Sequence, residues 1–331
     1  MRLRIITGFL ASLAAVFLPW LLVGMGAEET GKLETVPAAV GLVELEMEEE
    51  RTIQEIVIHE NEIATGDAAF PVTVELGGMP VEMTLEEYLV GVLMGEMPAS
   101  FCLEALKAQS VAARTYTLRR LEGGGSLSDD PAVCQAYTSP DRAQEKWGEN
   151  WEDYLGKLQQ AVAETDGQVL TYGGELISAT YFSCSGGKTE SAQAVWGGEV
   201  PYLVSVESPG EEEASAYESS VTVEVDEFLG VLGVESPNVS AVTYTEGGGV
   251  DTITIGGETF SGTELRSLFG LRSTMFDMEV TADSILFDVQ GYGHRVGLSQ
   301  YGAQAMAEQG KGYEEILKWY YTGVEIEAYH K

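Results

Sequence analysis

Apolar and polar positions follow different periods along this chain, and each change of period marks an element. From Ile5 to Ala27 no charge interrupts 23 residues rich in Leu, Ile, Val and Phe. At 1.5 Å per residue that run crosses a hydrocarbon layer of about 30 Å. Arg2 and Arg4 precede it and Glu28 and Glu29 follow it, which places the N-terminus in the cytoplasm and the remainder outside. The length favours a retained single-pass anchor, residues 1–27, at the cell membrane. A cleaved secretory signal has an apolar region of about 7–15 residues, and the alternative cut would fall near Gly26-Ala27. Residues 28–70 hold twelve acids against two bases and no sustained period, the pattern of an extended acidic spacer. Residues 71–331 have the apolar content of a real core.

Within that last segment, "MTLEEYLVGVLMGEMPASF" places Leu85, Tyr88, Leu89, Val92 and Leu93 at helical intervals behind Thr84 and Glu87, a capping-box pair. Pro98 stops the helix. A second, "FCLEALKAQSVAARTYTLRRLEGGG", is expected to be capped by Ser100 and closed by Gly123 to Gly125, so that Glu96 sits at an elbow between two helices. After a polar loop at 126–147 the spacing predicts a helix over 151–164. Strands follow at "QVLTY" and "LISATYF" with a Gly-Gly turn between them. β-rich segments "SVTVEV", "AVTYT" and "DTITI" and a short helix at "GTELRSLFG" fill 206–289, and a glycine-rich loop with two short helices ends the chain. The mixture reads as α+β, in two lobes.

Charge narrows the partners. With 53 acidic against 18 basic residues the net charge is −35, which opposes binding to any polyanion, so nucleic acid is excluded. So many acids also make any single one a poor catalytic candidate unless its surroundings set it apart. Glu96 is set apart: it lies between an apolar helix and Met97-Pro98, and desolvation raises a carboxyl pKa toward what a general acid needs at neutral pH. On spacing alone a helix-terminal acid is the plainer reading. Lys107, Arg114 and, on an adjoining face, Gln109 follow at near-helical intervals and read equally as a solvated face.

Other chemistries fail on their residues. "FSCSGGKTESAQ" ends like a phosphate-binding loop, but Phe182 fills the first glycine position, so no nucleotide is implied. "GLSQY" has Tyr301 where a nucleophile elbow needs glycine. Cys184 with His294 as base lacks any feature that lowers a thiol pKa except Lys188. Three cysteines, Cys102, Cys134 and Cys184, allow at most one internal disulfide, and the three histidines lie far apart without H-E-x-x-H.

Four stretches, "GEMPASFCLEALKAQSVAARTYTL", "YFSCSGGKTESAQAVWGGEVPYLVSVESP", "SGTELRSLFGLRSTMF" and "GYGHRVGLSQYGAQAMAEQGKGYEEILKWYYTG", together resemble, in order and over residues 71–327, the stage II sporulation protein D family. These are bacterial lytic transglycosylases that cut peptidoglycan during engulfment, together with the related amidase enhancers. The resemblance implies an extracytoplasmic domain with a glycan cleft. It places the catalytic glutamate on Glu96 of "GEMP" and the family arginine on Arg114 of "AART". Lys188 and Trp196 would line the glycan-binding region, as would Gln109. His294, Ser299 and Gln300 match a second glycine-rich motif that is structural or substrate-lining.

The implied substrate is peptidoglycan glycan with its stem peptides removed, and the implied partners are a cell-wall amidase and a membrane protein of the engulfment machinery. Some clostridial relatives hold zinc in the loop before a "CQAY"-like stretch. Here only Cys134 fits, since "EGGGSLSDDPAV" has neither His nor Cys, so no metal and no cofactor are expected. Two alternatives stay open. A muramidase-type hydrolase would need a second carboxyl, with Glu190 or Glu199 available. A wall-binding amidase enhancer would cut no sugar at all.

Overall fold

The computed structural model describes residues 70–330. The anchor of residues 1–27 and nearly all of the spacer lie outside the described residues, among which no helix is long and apolar enough to cross a membrane. The architecture is mixed α/β. A hairpin of β1 (Pro71–Leu76) and β2 (Met79–Thr84) leads into α1 (Leu85–Glu96) and α2 (Leu103–Glu122). Thr84 forms the expected capping box with Glu87, each side chain bonding the other's backbone N–H.

Helix α2 starts later than Ser100 allows. Phe101 N–H turns back to the Pro98 carbonyl, and Cys102, not Ser100, is the N-cap residue. Its side chain makes no cap bond; Gln304, distant in sequence, accepts from the Cys102 N–H at 2.6 Å. Tertiary satisfaction of an orphan donor has replaced local capping. Helix α2 is buried on nearly every side, with Ala105, Leu106, Ala108, Val111, Ala112 and Ala113 all inaccessible. The small residues let the helices at 85–96, 151–163, 300–308 and 313–320 and the strand at 168–172 approach it.

The polar loop expected at 126–147 holds a two-residue strand, β3 (Leu127–Ser128), parallel to β1, and a helix, α3 (Pro140–Trp147). Ser139 caps α3 and Pro140 fills its first position, a start signal that the polar composition obscured. Helix α4 (Trp151–Ala163) and strand β4 (Gln168–Tyr172) fall where the pattern put them. Gly173 and Gly174 turn the chain at φ 62° and 85° into β5 (Glu175–Leu176). The "LISATYF" strand does not continue. After Leu176 the chain leaves β4 and reappears as β6 (Tyr181–Phe182), paired in parallel with β13 (Leu298–Ser299). Between β6 and the next sheet lies a short helix, α5 (Ala192–Trp196).

Residues 218–290 build a separate core. Strands β7 (Glu218–Glu224), β11 (Met275–Val280) and β12 (Ser284–Gln290) form one antiparallel sheet, and β8 (Val239–Tyr244), β9 (Val250–Ile255) and β10 (Glu258–Ser261) another. Helix α6 (Val225–Leu232), which the β-rich pattern missed, and α7 (Gly262–Leu268) pack on them. Phe228, Phe269 and Phe287 cluster there, with Phe269 stacked on both others and Phe276 edge-on to Phe287. The chain ends in α8 (Gln300–Glu308), α9 (Tyr313–Tyr320) and β14 (Glu325–Ala328), which pairs with β4.

Candidate active site

Glu96 is the last residue of α1, half-buried. The helix end it occupies carries the negative pole of the backbone dipoles, which disfavours a charged carboxylate. Two glycines prepare its surroundings. Gly91 and Gly95 open one face of α1, and the backbone of 136–138 lies in that groove. A Cβ on Gly95 would stand 2.9 Å from the Ala136 carbonyl, and one on Gly91 would overlap the Tyr137 ring. Thr138 N–H bonds the Gly91 carbonyl, and Ala136 N–H donates to Glu96 Oε1 at 2.6 Å.

The β6–β13 pairing supplies the rest. Tyr181 stands opposite Leu298, one strand residue before Ser299 and two before Gln300. Tyr181 Oη lies 3.3 Å from Glu96 Oε1 and 2.9 Å from Gln135 Oε1, and Gln135 is held in turn by Thr117 Oγ1. One hydroxyl proton thus faces two acceptors, the glutamate among them. Both hydrogen bonds to Glu96 fall on Oε1, leaving Oε2 to carry and deliver a proton. The Gln300 amide also favours the charged carboxylate. Its buried Nε2 nevertheless makes no hydrogen bond of ordinary geometry. Burial outweighs these stabilising contacts and pushes Glu96 up from 4.5 to about 7.

His294 supports Tyr181 from the other side. Its Nδ1 accepts from Val296 N–H at 3.1 Å and its ring bonds the Tyr181 backbone. Burial, with the Arg266 charge, pulls it down to about 3, so it is neutral and unsuited to a general base near pH 7. Trp196, 38% exposed, leans on the imidazole at 5.2 Å between ring centres, with Phe182 on the ring at 5.7 Å. Glu96 and His294 are therefore linked through Tyr181, and Trp196 joins them by way of His294.

Lys188 stands apart from that chain of contacts. Its ammonium lies 3.6 Å from Glu207 and 3.9 Å from Glu246, both well exposed. Its carbonyl accepts from Arg295, which the sequence did not single out. Arg295 is fully buried at φ 64°, a left-handed conformation rare outside glycine. Its guanidinium reaches Ser185 O, Gly247 O and Glu190 Oε1. Glu190 accepts further from Thr245 Oγ1 and Gly249 N–H.

Arg114 and Gln109 make no hydrogen bond to this group. Arg114 is buried and donates to the carbonyls of Val162, Thr165 and Gln168, fastening α2 to the end of α4 and the start of β4. Gln109 is wholly buried, with neither amide atom hydrogen-bonded. Arg114→Lys removes the planar fork that reaches three carbonyls at once and should lower folding stability by about 1.5–3 kcal/mol. Thermal melts of the variant should show it. Cys184 is buried and donates to Glu211 at 3.2 Å; burial and that carboxylate push its thiol well above the ordinary range, the opposite of an activated nucleophile.

Tyr181, Gln135 and Ala136 escaped the sequence reading. The two glycines of "GVLMGE" at i and i+4 were the available sign that another backbone lies against α1.

The sequence model of the stage II sporulation protein family matches residues 79–172. Stage II sporulation protein D of Bacillus subtilis (strain 168) is 42% identical over 253 residues, covering 73% of this chain and 74% of that protein. The protein of the same name from Bacillus amyloliquefaciens matches with the same figures. The amidase enhancer of Bacillus subtilis (strain 168) is 30% identical over 299 residues, 73% of this chain and 40% of that protein.

Proposed function

The chain belongs to the stage II sporulation protein D family, and from that premise we propose that it is a membrane-anchored lytic transglycosylase acting on the cell wall in sporulation. The observation that carries the reading is Glu96, a carboxyl raised to about 7 beside a hydroxyl and an amide that both favour its ionised form. Such a group gives up a proton readily at neutral pH and is stabilised once it has done so. Protonated at Oε2, Glu96 delivers its proton to the glycosidic oxygen as the bond breaks. As a carboxylate it then takes the proton of the muramic acid C6 hydroxyl, which attacks the anomeric carbon and closes a 1,6-anhydro ring. Trp196, exposed above His294, offers a ring face for a sugar, and Lys188 lies further along the same motif. Cleavage is confined to glycan freed of stem peptides, in a cleft between two lobes.

Water-dependent hydrolysis finds less support. It needs a second carboxyl near the bond, whereas Glu190 is buried in its pair with Arg295 and Glu199 is exposed. One observation favours a different reading. A relative named for amidase enhancement covers as much of this chain as the sporulation proteins do, so a protein that binds denuded glycan and stimulates an amidase without cutting is the second reading. Incubating the protein with intact and with amidase-treated sacculi separates them. Release of soluble fragments from treated sacculi alone supports the first reading; binding without release supports the second.

The raised Glu96 also predicts a pH signature in stability. The folded state holds this proton more tightly than the unfolded chain. The resulting stabilisation is fully present below about pH 4.5 and is lost as pH rises through about 7. Glu96→Gln should therefore melt above the parent at pH 8, with the difference vanishing near pH 4.5. Equal melting temperatures at both pH values would mean that Glu96 is not desolvated. The anchor belongs to the same proposal: the protein should remain with membranes after a high-salt wash, because apolar burial is not weakened by salt.

A further inference from the structure

Glu211 has no part in the chemistry above, yet it is 2% exposed and wholly surrounded by donors. Its Oε2 accepts from Ser185 N–H at 2.7 Å, Ser185 Oγ at 2.8 Å, Gly186 N–H at 3.1 Å and Cys184 Sγ at 3.2 Å. Its Oε1 accepts from Ser208 Oγ at 2.6 Å and Ser299 Oγ at 2.5 Å. Among the described residues no Lys, Arg or His stands within ion-pair distance of it. The donors belong to two places. Cys184 to Gly186 form the turn after β6, the strand that carries Tyr181. Ser299 ends β13 and is the N-cap of α8, where its Oγ accepts from Gly302 N–H at 3.2 Å. The Ser299 hydroxyl proton is thereby directed to Glu211. Gly302 leaves the room for this approach: a Cβ there would overlap Tyr320 Oη and Ser208 Oγ and stand 2.7 Å from Glu211 Oε1.

A carboxylate anchored on a helix N-cap fixes where that helix begins. Here the first residue of the helix is Gln300, directly after the Leu298–Ser299 strand that pairs with Tyr181 and Phe182, and Tyr181 reaches Glu96 at 3.3 Å; the Gln300 amide favours the charged Glu96. We propose that Glu211 is a positioning residue for the Glu96 site, clamping the Cys184–Gly186 turn to Ser299 so that α8 starts with Gln300 against the Glu96 carboxyl. This deepens the role proposed for Glu96 and rests on it for its catalytic consequence. The positional link itself can be read without activity.

The readout is the titration of Glu96. The titratable groups facing Glu96 are Tyr181 and Tyr116, both displaced upward by burial. Those facing Glu211 are Cys184, Tyr217 and Tyr320, also displaced upward, together with Arg295. His294 behind Tyr181 is held neutral. None of these titrates near pH 7, so an inflection there belongs to Glu96.

In the full-length chain labelled with 13C-glutamate, the Glu96 carboxyl signal is identified by its loss in Glu96→Gln. Gln300→Ala should move its inflection upward on the order of half a unit, because a contact favouring the charged form is gone. Ser299→Ala should move it by a similar amount, and Glu211→Gln likewise if it folds. The Ser299→Ala/Gln300→Ala pair should shift no further than either alone, and in glycan cleavage the same variants should lower kcat with KM unchanged. Two results overturn the inference: a Ser299→Ala protein that melts lower while Glu96 titrates where it did, or a Gln300→Ala protein with no shift. If the shifts appear but the parent cuts no glycan, the clamp stands and the catalytic reading of Glu96 falls.

Discussion

Replacing Glu96 by glutamine is expected to reduce glycan cleavage by a factor of about 10² or more, the usual contribution of a positioned general acid. The amide oxygen still accepts from Ala136 N–H, so the groove on α1 keeps its occupant, and Tyr181 keeps Gln135 as an acceptor. What disappears is the carboxyl beside Tyr181 that is raised to about 7. Binding to denuded glycan should persist within a few-fold, since Trp196 and Lys188 are untouched. In the parent, cleavage should decline as pH rises past about 7, where Glu96 loses its proton, and this limb should be absent from any residual activity of the variant. A variant that cuts at the parental rate would move the chemistry to another residue.

Glu190→Ala is expected to cost about 3–5 kcal/mol of folding stability, because it leaves the Arg295 guanidinium buried without its counter-charge. Both side chains are essentially inaccessible, 0% and 1% exposed, at 3.3 Å. The loss reaches further than the pair. Thr245 Oγ1 and Gly249 N–H also lose their acceptor, and the turn at 245–249 is moored to the "SGGKT" segment mainly by Glu190 and Arg295. Chemical denaturation of parent and variant gives the number. A second variant, Glu190→Gln, separates two mechanisms. If Glu190 were the second carboxyl of a hydrolase, Glu190→Gln would abolish cleavage even under conditions where the variant remains folded. A structural role predicts the reverse order of effects, with stability falling first and cleavage surviving at low temperature.

Legibility of the fold followed the range of its interactions. Helices α1, α4 and α7 and strands β4 and β9 came directly from period and capping, because Thr84 with Glu87, and the Gly173-Gly174 turn, satisfy their backbone groups within a few residues. Where partners are distant in sequence, the pattern misled. Ser100 looked like a cap, but Gln304 supplies the acceptor at Cys102 N–H from 202 residues away. "LISATYF" looked like one strand, but only its ends pair, one with β4 and the other with β13.

The site divides in the same way. Glu96 could be set apart because its apolar neighbours are adjacent in sequence. Arg114 read as a surface or substrate residue, since nothing nearby reveals that the end of α4 and the start of β4 present it with three carbonyls. Tyr181 and Gln135 meet only through tertiary structure, 46 residues apart. Arg295 and Glu211 look like ordinary charges in an acidic chain until burial and partner count distinguish them.

The most direct test is chemical. Glycan strands freed of stem peptides, incubated with the purified protein and resolved by mass spectrometry, should yield fragments ending in 1,6-anhydro-N-acetylmuramic acid, 18 mass units lighter than the hydrolysed form because no water is added, roughly as an intramolecular C6 attack requires. Fragments with reducing ends carrying the mass of one water would contradict that chemistry and point to hydrolysis with a second carboxyl.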